Sequence, residues 1–428
     1  MGEKKECFIG IDMGSSGVRA YVIDEKRRKI SEKSFSYSSL NPKKLHDLEA
    51  KPSIWWNACI NVLDEVFRDL TMQVKSICVD GTSGTVLICD KNGQSIGPAL
   101  LYNDPVAAYQ LPYLTKIAPS SSAVHSATSS LAKFLHLSKN IPNNAAHILH
   151  QADWIAGKLT ENFGFSDENN ALKMGYDPIE RIWPDWLKKC PIEQSLLPKV
   201  LPVGSKIGFL DLKLKKKWDL SNIPQILIGT TDSTAAALAC GLRDIGDAVT
   251  VLGSTLVVKI ISEKPIFNSE YGIYSHRYKN KWIVGGASNT GGNVLSNFFS
   301  LEEIIELSQH MNENISSGCD FYPLRKKGER FPRNDPELLP KLDPRPTDDI
   351  TFLKGIMEGM ANIEKEGYQK LYELGAPKPS RIFTSGAGGM NDAWRNIRKR
   401  ILEIPLVESY NAEAAFGSAL IASNVKLS

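Results

Sequence analysis

The feature that most constrains the fold is a pattern of strands and helices that occurs twice along the chain. The first copy is predicted to comprise strands at 7–12, 18–24 and about 29–37, a helix at 52–69 and a strand at 74–80. The second copy comprises strands at 247–252 and 256–261, a hairpin at 272–286, helices at 291–299 and 349–374, and a strand at 381–384. Apolar spacing separates the strands from the helices. Two copies of one β-β-β-α-β unit predict an α/β protein.

Length and composition set limits on the class of protein. A chain of 428 residues is long for one core, so two domains are expected, at residues 1–245 and 246–428. The apolar fraction of 42% and charged fraction of 23% are typical of globular proteins. A net charge of only +3 gives no indication of nucleic acid or a membrane surface as partner. No stretch approaches the roughly 18 apolar residues of a membrane span.

The cysteines and the N-terminus bear on location. None of the seven cysteines forms a C-x-x-C pair, and most lie in apolar runs, so buried reduced thiols are expected. The N-terminal residues run directly into the first strand and leave no room for a leader peptide. These features predict a cytoplasmic protein, or one of the plastid stroma if a transit peptide has been removed.

A glycine-serine turn follows the first strand. Asp12 ends that strand, and Gly14-Ser15-Ser16-Gly17 connects it to the next one. Glycines permit positive φ angles, and the exposed N–H groups of such a turn can bind phosphate oxygens. Asp12 is placed to hold Mg²⁺ or to orient a substrate hydroxyl. An ordinary hairpin turn is the alternative interpretation.

The second half of the chain has the same device. Gly253-Ser254-Thr255 connects two strands in the corresponding place. Two equivalent turns, each opening one copy of the unit, favour a phosphate-binding function over two unrelated hairpins. Such a pair would suit a nucleotide held between two facing domains.

A carboxylate stands at a strand-to-helix junction in the sequence Gly229-Thr230-Thr231-Asp232-Ser233. Asp232 fits a helix N-cap. It also fits a general base, because phosphoryl transfer needs one carboxylate near the attacking hydroxyl and otherwise depends on positioning and charge. The residues alone leave both interpretations open.

A glycine-rich turn, Ser385-Gly386-Ala387-Gly388-Gly389-Met390-Asn391, lies between a strand and a helix. It differs from G-x-G-x-x-G, and no acidic residue is placed to bind a ribose as in dinucleotide-binding proteins. A turn of this kind would let an adenine or an α-phosphate approach the backbone.

Five motifs together, in this order and spacing, resemble those of the FGGY carbohydrate kinases. They are Ile9–Gly17, Asp80–Thr85, Gly229–Ser233, Leu252–Thr255 and Ser385–Asn391. The resemblance covers essentially the whole chain. It implies two ribonuclease-H-like domains of the actin/Hsp70/sugar-kinase superfamily flanking a cleft, with a sugar-binding N-terminal domain and an ATP-binding C-terminal domain.

The resemblance also implies roles for individual residues. Asp232 would be the catalytic base, and Asp12 the catalytic carboxylate that faces the substrate and Mg²⁺. The implied sugar contacts are Asp12, Ser15, Ser83 and Asp232. The implied ATP contacts are Ser15, Ser16, Gly253, Ser254, Thr255, Gly386, Gly388, Gly389 and Asn391. The expected cofactors are ATP and Mg²⁺, and the expected partner is a small-molecule sugar.

The chain departs from the family at the sugar site. Tyr102–Val106 replaces the family's Trp-x-Asp-x-Arg pattern, so the wall opposite the base is expected to consist mainly of short polar side chains. Such a wall fits a small open-chain sugar. The closer resemblance is to the D-ribulose kinase (xylulose-kinase-like) branch of cyanobacteria and plants, through stretches such as Ser129–Lys133 and Asn169–Tyr176.

The predicted reaction is therefore phosphorylation of D-ribulose at its terminal hydroxyl to D-ribulose 5-phosphate. D-Xylulose, which differs at carbon 3, is the alternative acceptor. The alternatives from another class are a weak ATPase, including a chaperone-type ATPase of the same superfamily, and a sugar sensor. ATP hydrolysis that depends on a sugar would distinguish a kinase from these.

Overall fold

The structure is a computed structural model that describes residues 5–39, 50–126 and 129–423. Its described residues form two compact units. The first unit contains the residues up to Ala239, the segment Arg277–Lys279 and the residues from Glu413 onward. The second unit contains Cys240–His276 and Asn280–Ala412. Residues 1–4 and 424–428, at the outer ends of the predicted domains, lie outside the described residues.

The first unit is built on a six-stranded sheet. Its strands are β1 (Glu6–Met13), β2 (Gly17–Asp24), β3 (Lys29–Ser36), β4 (Gln73–Gly81), β9 (Lys206–Phe209) and β10 (Gln225–Leu227). Their order is β3-β2-β1-β4-β10-β9. Two further pairs join β5 (Val86–Asp90) to β6 (Ala145–His150) and β7 (Phe165–Asp167) to β8 (Lys199–Leu201).

The second unit is built on a second six-stranded sheet. Its strands are β11 (Asp247–Leu252), β12 (Leu256–Ser262), β13 (Tyr274–Tyr278), β14 (Lys281–Ala287), β15 (Arg381–Ser385) and β16 (Leu406–Glu408). Their order is β13-β14-β12-β11-β15-β16.

Five strands of each sheet correspond in order and direction. In the first sheet β1–β2 and β2–β3 are antiparallel, whereas β1–β4 and β4–β10 are parallel. In the second sheet β11–β12 and β12–β14 are antiparallel, whereas β11–β15 and β15–β16 are parallel. The duplicated unit predicted from the sequence is therefore confirmed, and the second copy carries β13 as an additional edge strand.

The helices, in chain order, are α1 (Pro52–Asp69), α2 (Leu111–Ile117), α3 (Ser130–Leu137), α4 (Gln151–Thr160), α5 (Leu212–Lys217), α6 (Asp232–Cys240), α7 (Gly292–Leu295), α8 (Leu301–Gln309), α9 (Asp349–Glu373), α10 (Asp392–Leu402) and α11 (Ala414–Ala422). Among the described residues, no helix combines the length and the apolar character needed to cross a bilayer.

Strand β1 lies at the centre of the first core. It is buried over almost its whole length, as expected for a strand covered on both faces. A β-carbon at Gly10 would lie 2.0 Å from the backbone oxygen of Ala415, so the start of α11 rests directly on β1. Glycine is required here because any side chain would force the helix away from the strand.

The cysteines agree with the expectation of reduced thiols. All seven are free, six are buried, and Cys319 is half-buried. Burial raises the pKa of the Cys7 and Cys59 thiols to about 12.

One predicted helix was wrong. The helix expected at 291–299 is a single turn, α7, and a separate helix, α8, begins at Leu301. The hydroxyl of Ser300 accepts a hydrogen bond from the Glu303 N–H, while the Glu303 carboxylate accepts one from the Ser300 N–H. This capping box starts a new helix, so the first one ends before it. The helix predicted at 349–374 is confirmed as α9.

Candidate active site

Three carboxylates converge at the ends of strands in the first unit. Asp12 near the end of β1 is paired in register with Asp80 near the end of parallel strand β4. A parallel bridge joins Gly81 to Thr231, which brings Asp232 to the same edge. The carboxylates are close enough for the charge of Asp232 to act on both Asp12 and Asp80. The carboxyl ends of parallel strands are where α/β sheets place their ligands.

The surroundings of Asp12 and Asp80 disfavour the ionisation of both of these carboxylates. Burial and the charge of Asp232 raise the pKa of Asp12 to about 6, against a hydrogen bond with Asp80 and the charge of Arg19. Burial and the charge of Asp12 hold the pKa of Asp80 well above its usual value, although Asp80 Oδ2 accepts a hydrogen bond of 2.5 Å from Ser418 Oγ. Like charges this close in a buried site favour a shared proton or a bound cation.

The cluster fits a divalent cation. Asp12 Oδ1 and Asp80 Oδ1 are buried and have no hydrogen-bond partner among the described residues. Over the same residues, no group of three or more His, Cys, Asp or Glu side chains is arranged to hold a metal ion. Magnesium needs no such group, because it binds through one or two carboxylates and completes its shell with water and phosphate oxygens.

Asp232 begins helix α6 but does not occupy the cap position. The backbone oxygen of Thr231, one residue earlier, accepts hydrogen bonds from the N–H groups of Thr234 and Ala235. The Thr231 and Thr234 hydroxyls are also bonded to each other, at 2.8 Å. The half-buried Asp232 carboxylate accepts instead from its neighbour, Ser233 N–H, at 2.6 Å. Thr231 therefore occupies the cap position at the start of α6, and the role of Asp232 as a general base stays a prediction.

The turn between β1 and β2 exposes both of its serines. Ser15 and Ser16 are solvent-exposed, and the Ser16 backbone oxygen accepts a hydrogen bond from Tyr37 N–H. The positive φ angles that glycines permit are not used here, since neither Gly14 nor Gly17 has one. Glycine is needed at Gly17 for another reason: a β-carbon there would lie 2.3 Å from the Phe35 oxygen.

The equivalent turn of the second unit contacts the start of α7. Gly292 N–H donates to the Gly253 oxygen at 2.8 Å, and Ser254 is exposed. Gly253 also lacks a positive φ, whereas Gly291 has a φ of +137°. A β-carbon on Gly291 would lie 2.6 Å from the Thr255 α-carbon, so this glycine permits the contact.

The Gly386–Asn391 turn packs against the start of the Gly253–Thr255 turn. Gly386 has a φ of +87°, and a β-carbon there would lie 2.5 Å from the Leu252 oxygen and 3.1 Å from the Gly253 nitrogen. The β-carbon positions of Gly388 and Gly389 are likewise occupied by neighbouring side chains. The two glycine turns predicted to bind ATP are therefore neighbours within the second unit.

Asn391 has a structural role in this turn. Its side-chain oxygen accepts from Trp394 N–H at 2.9 Å and so caps α10, and its amide nitrogen donates to Ser308 Oγ at 2.8 Å. The contact with adenosine implied by the family resemblance stays a prediction.

Polar residues that were not predicted as site residues lie in and beside the turn that carries Ser83. Thr82 Oγ1 is 2.6 Å from Thr85 Oγ1 and donates to Gln151 Oε1 at 2.9 Å. Ser83 itself is half-buried. Thr82 belongs to the Asp80–Thr85 motif and Gln151 directly follows β6, but neither was predicted as a site residue from the sequence.

A cavity of about 10 Å³, with room for about one water molecule, shows which loops meet beside Ser15. It is lined by Gly14, Ser15, Tyr37, Trp55, Thr82, Leu101, Tyr102 and Gln151. The aromatic residues Tyr37, Trp55 and Tyr102 are thus part of its lining, and the expected wall of mainly short polar side chains at the sugar site stays a prediction.

Comparison with known proteins agrees with this architecture. The N-terminal and C-terminal domain models of the FGGY family of carbohydrate kinases match residues 7–239 and 248–424. The xylulose kinase of Escherichia coli is 22% identical over 417 residues, covering 91% of this chain and 84% of that protein.

Two solved structures share the fold. The xylulose kinase from Rhodospirillum rubrum has a TM-score of 0.83 at 20% identity and covers 97% of this chain and 89% of its own. The glycerol kinase from Plasmodium falciparum, solved with ADP, has a TM-score of 0.84 at 17% identity and covers 99% and 90%. With both family domains matched in order over nearly its whole length, this chain belongs to the FGGY family of carbohydrate kinases.

Proposed function

We propose that the protein is an ATP-dependent kinase that transfers the γ-phosphate of ATP to the terminal hydroxyl of a pentulose. The observation that carries the proposal is the convergence of Asp12, Asp80 and Asp232 at one edge of the first sheet, in a chain of a carbohydrate-kinase family. Phosphoryl transfer to an alcohol requires a base for the hydroxyl proton and a means of neutralising phosphate charge.

The N-terminal domain, residues 1–245, would bind the sugar. Asp232 accepts the proton of the attacking hydroxyl, and Asp12 orients the same end of the sugar. Ser15 and Ser83 donate hydrogen bonds to the remaining sugar oxygens, and Ser15 with Ser16 also faces the γ-phosphate. The exposed positions of Ser15 and Ser16 support this assignment.

Asp12 would also hold Mg²⁺, and the unpartnered oxygen of Asp80 lies in the same cluster. The ion supplies charge neutralisation for the transferred phosphate when bound. The carboxylates themselves keep the hydroxyl end of the sugar oriented and receive its proton.

The C-terminal domain, residues 246–428, would bind ATP. The turn Gly253–Thr255 would contact the β- and γ-phosphates through backbone N–H groups. Gly386, Gly388 and Gly389 would let the adenosine approach the backbone, with Asn391 beside it. The close packing of the two turns within the second unit supports a single nucleotide site.

For the acceptor we propose D-ribulose, with D-ribulose 5-phosphate as the product. The absence of the family's Trp-x-Asp-x-Arg pattern at Tyr102–Val106 supports a preference that differs from that of better-known members. D-Xylulose is the second candidate, because the relatives found include xylulose kinases. A weak ATPase or a sugar sensor is the third.

Comparison of kcat/KM for D-ribulose and D-xylulose tests the acceptor. We expect a preference for D-ribulose of roughly 5- to 150-fold, because a misplaced hydroxyl leaves a buried partner unpaired at about 1–3 kcal/mol. Glycerol serves as the control acceptor and should be the poorest of the three. Preference for D-xylulose would support the second candidate, and preference for glycerol over both ketoses would exclude a pentulose kinase.

A further inference from the structure

A buried lysine lies between two loops of the first unit. Lys133, on α3, is fully buried. Its Nζ donates hydrogen bonds to the backbone oxygens of Gly84 at 2.8 Å, Leu101 at 2.5 Å and Tyr102 at 3.2 Å. An ammonium group has three N–H donors, and here each has a carbonyl acceptor.

Burial of Lys133 in its charged ammonium form costs free energy. Burial and the nearby charge of Lys173 lower the pKa of Lys133 to about 7, and Asp104 acts in the opposite direction. Lysine is among the residues least often found fully buried. Lys133 is buried despite the free-energy cost of burying a lysine, and each of its three donors has a carbonyl acceptor. We therefore expect the arrangement of those three carbonyls to be important.

The loops that Lys133 joins are those of the proposed sugar site. Gly84 directly follows Ser83. Leu101 directly precedes Tyr102, which begins the segment where the family's sugar-binding pattern is replaced. Thr82, Leu101 and Tyr102 line the same small cavity as Ser15. The loops are joined independently by Thr85, whose hydroxyl accepts from Tyr102 N–H at 2.9 Å.

We infer that Lys133 is a positioning residue that sets acceptor specificity, by holding the Ser83 turn and the Tyr102 segment at a fixed separation. The ligand class is a small open-chain polyhydroxy ketone, whose hydroxyls away from the reacting end would be read by these two loops. The inference rests on the proposed kinase function. Small displacements of positioning groups reduce binding and discrimination strongly.

The test replaces Lys133 by methionine, which keeps the length of the side chain but removes its donors. In the full-length protein, Lys133→Met should raise KM for D-ribulose by a factor on the order of 10–100. It should leave KM for ATP within about twofold of the wild type, and it should reduce the ratio of kcat/KM between D-ribulose and D-xylulose toward one.

A second variant keeps the inference testable if Lys133→Met does not fold. Thr85→Val removes the other side-chain link between the loops with little change in shape, and it should shift KM for the ketose and the selectivity in the same direction. Lys354→Met is the matched control: Lys354 is also buried and donates to a backbone oxygen, that of Asn312, but it belongs to the second unit. It should leave KM for the ketose and the selectivity unchanged.

The outcomes separate the inference from the function on which it rests. If the wild type phosphorylates a ketose but both Lys133→Met and Thr85→Val keep its KM and selectivity, the inference fails alone. A fall in kcat with unchanged KM and selectivity in the folded variants would also overturn it, since that is the effect of a general structural role. If the wild type phosphorylates no ketose, the proposed function and the inference fail together.

Discussion

Replacement of Asp232 by asparagine is expected to reduce kcat by a factor on the order of 10²–10⁴, the usual effect of losing a general base. Asparagine has nearly the same shape and still accepts a hydrogen bond from Ser233 N–H, but its amide cannot take a proton from the sugar hydroxyl. Because Asp232 is not among the proposed nucleotide contacts, the Kd for ATP should remain close to that of the wild type. Turnover is measured by ADP formation and ATP binding by calorimetry.

A matched control is available on another helix. Asp211 caps α5 by accepting a hydrogen bond from Lys213 N–H at 2.9 Å, and it is not among the proposed site residues. Asp211→Asn should keep turnover within about twofold, since asparagine caps helices as well as aspartate does. Near-normal turnover of Asp232→Asn would contradict the assignment of Asp232 as the base.

Replacement of Arg398 by methionine is expected to lower the free energy of unfolding of the second unit by about 3–5 kcal/mol, as for other broken buried ion pairs. Arg398 and Glu364 are fully buried and form a two-pronged pair, with Nε and Nη2 donating at 2.7 and 2.8 Å. Arg398 Nη1 also donates to Thr384 Oγ1 on β15, just before the Gly386 turn. Without Arg398, the Glu364 carboxylate would remain buried without its compensating charge.

Urea unfolding measures this loss of stability, and two further variants help to interpret it. Arg395 lies on the same helix and pairs with the largely exposed Asp392, so Arg395→Met should change stability by less than about 1 kcal/mol. The double variant Arg398→Met with Glu364→Leu should recover much of the stability, because no buried charge is left. A loss below about 1 kcal/mol in Arg398→Met would contradict the importance of this pair.

The parts of the fold that depend on local pattern could be predicted from the sequence. The duplicated strand order, helix α9 and the glycine turns follow from apolar spacing and from residue types that favour turns. The helix expected at 291–299 was wrong because a glycine-rich segment precedes it and the capping box at Ser300 starts a new helix within a few residues. Gly14, Gly17 and Gly253 do not use the positive φ angles that glycine permits, and at Gly17 glycine serves close packing instead.

The site could be predicted only in part, because its geometry depends on contacts between distant segments. Asp12 and Asp232 stand beside recognisable turns. Asp80 begins the Asp80–Thr85 motif, but its place in the carboxylate cluster becomes evident through its register with Asp12 on a neighbouring strand. Asp80 could have been found by the same criterion as Asp12, since both acids stand near the end of an apolar strand. Nothing in the local sequence around Lys133 indicates that its partners lie at residues 84, 101 and 102.

The destination of the γ-phosphate tests the central claim most directly. The wild-type protein is incubated with magnesium and ATP labelled in the γ-phosphate, with D-ribulose, with D-xylulose or with no sugar, and the labelled products are separated. We expect the label in a sugar phosphate at a rate far above that of labelled inorganic phosphate released without sugar. Label found only in inorganic phosphate, at a rate that no sugar changes, would contradict the assignment of this protein as a sugar kinase.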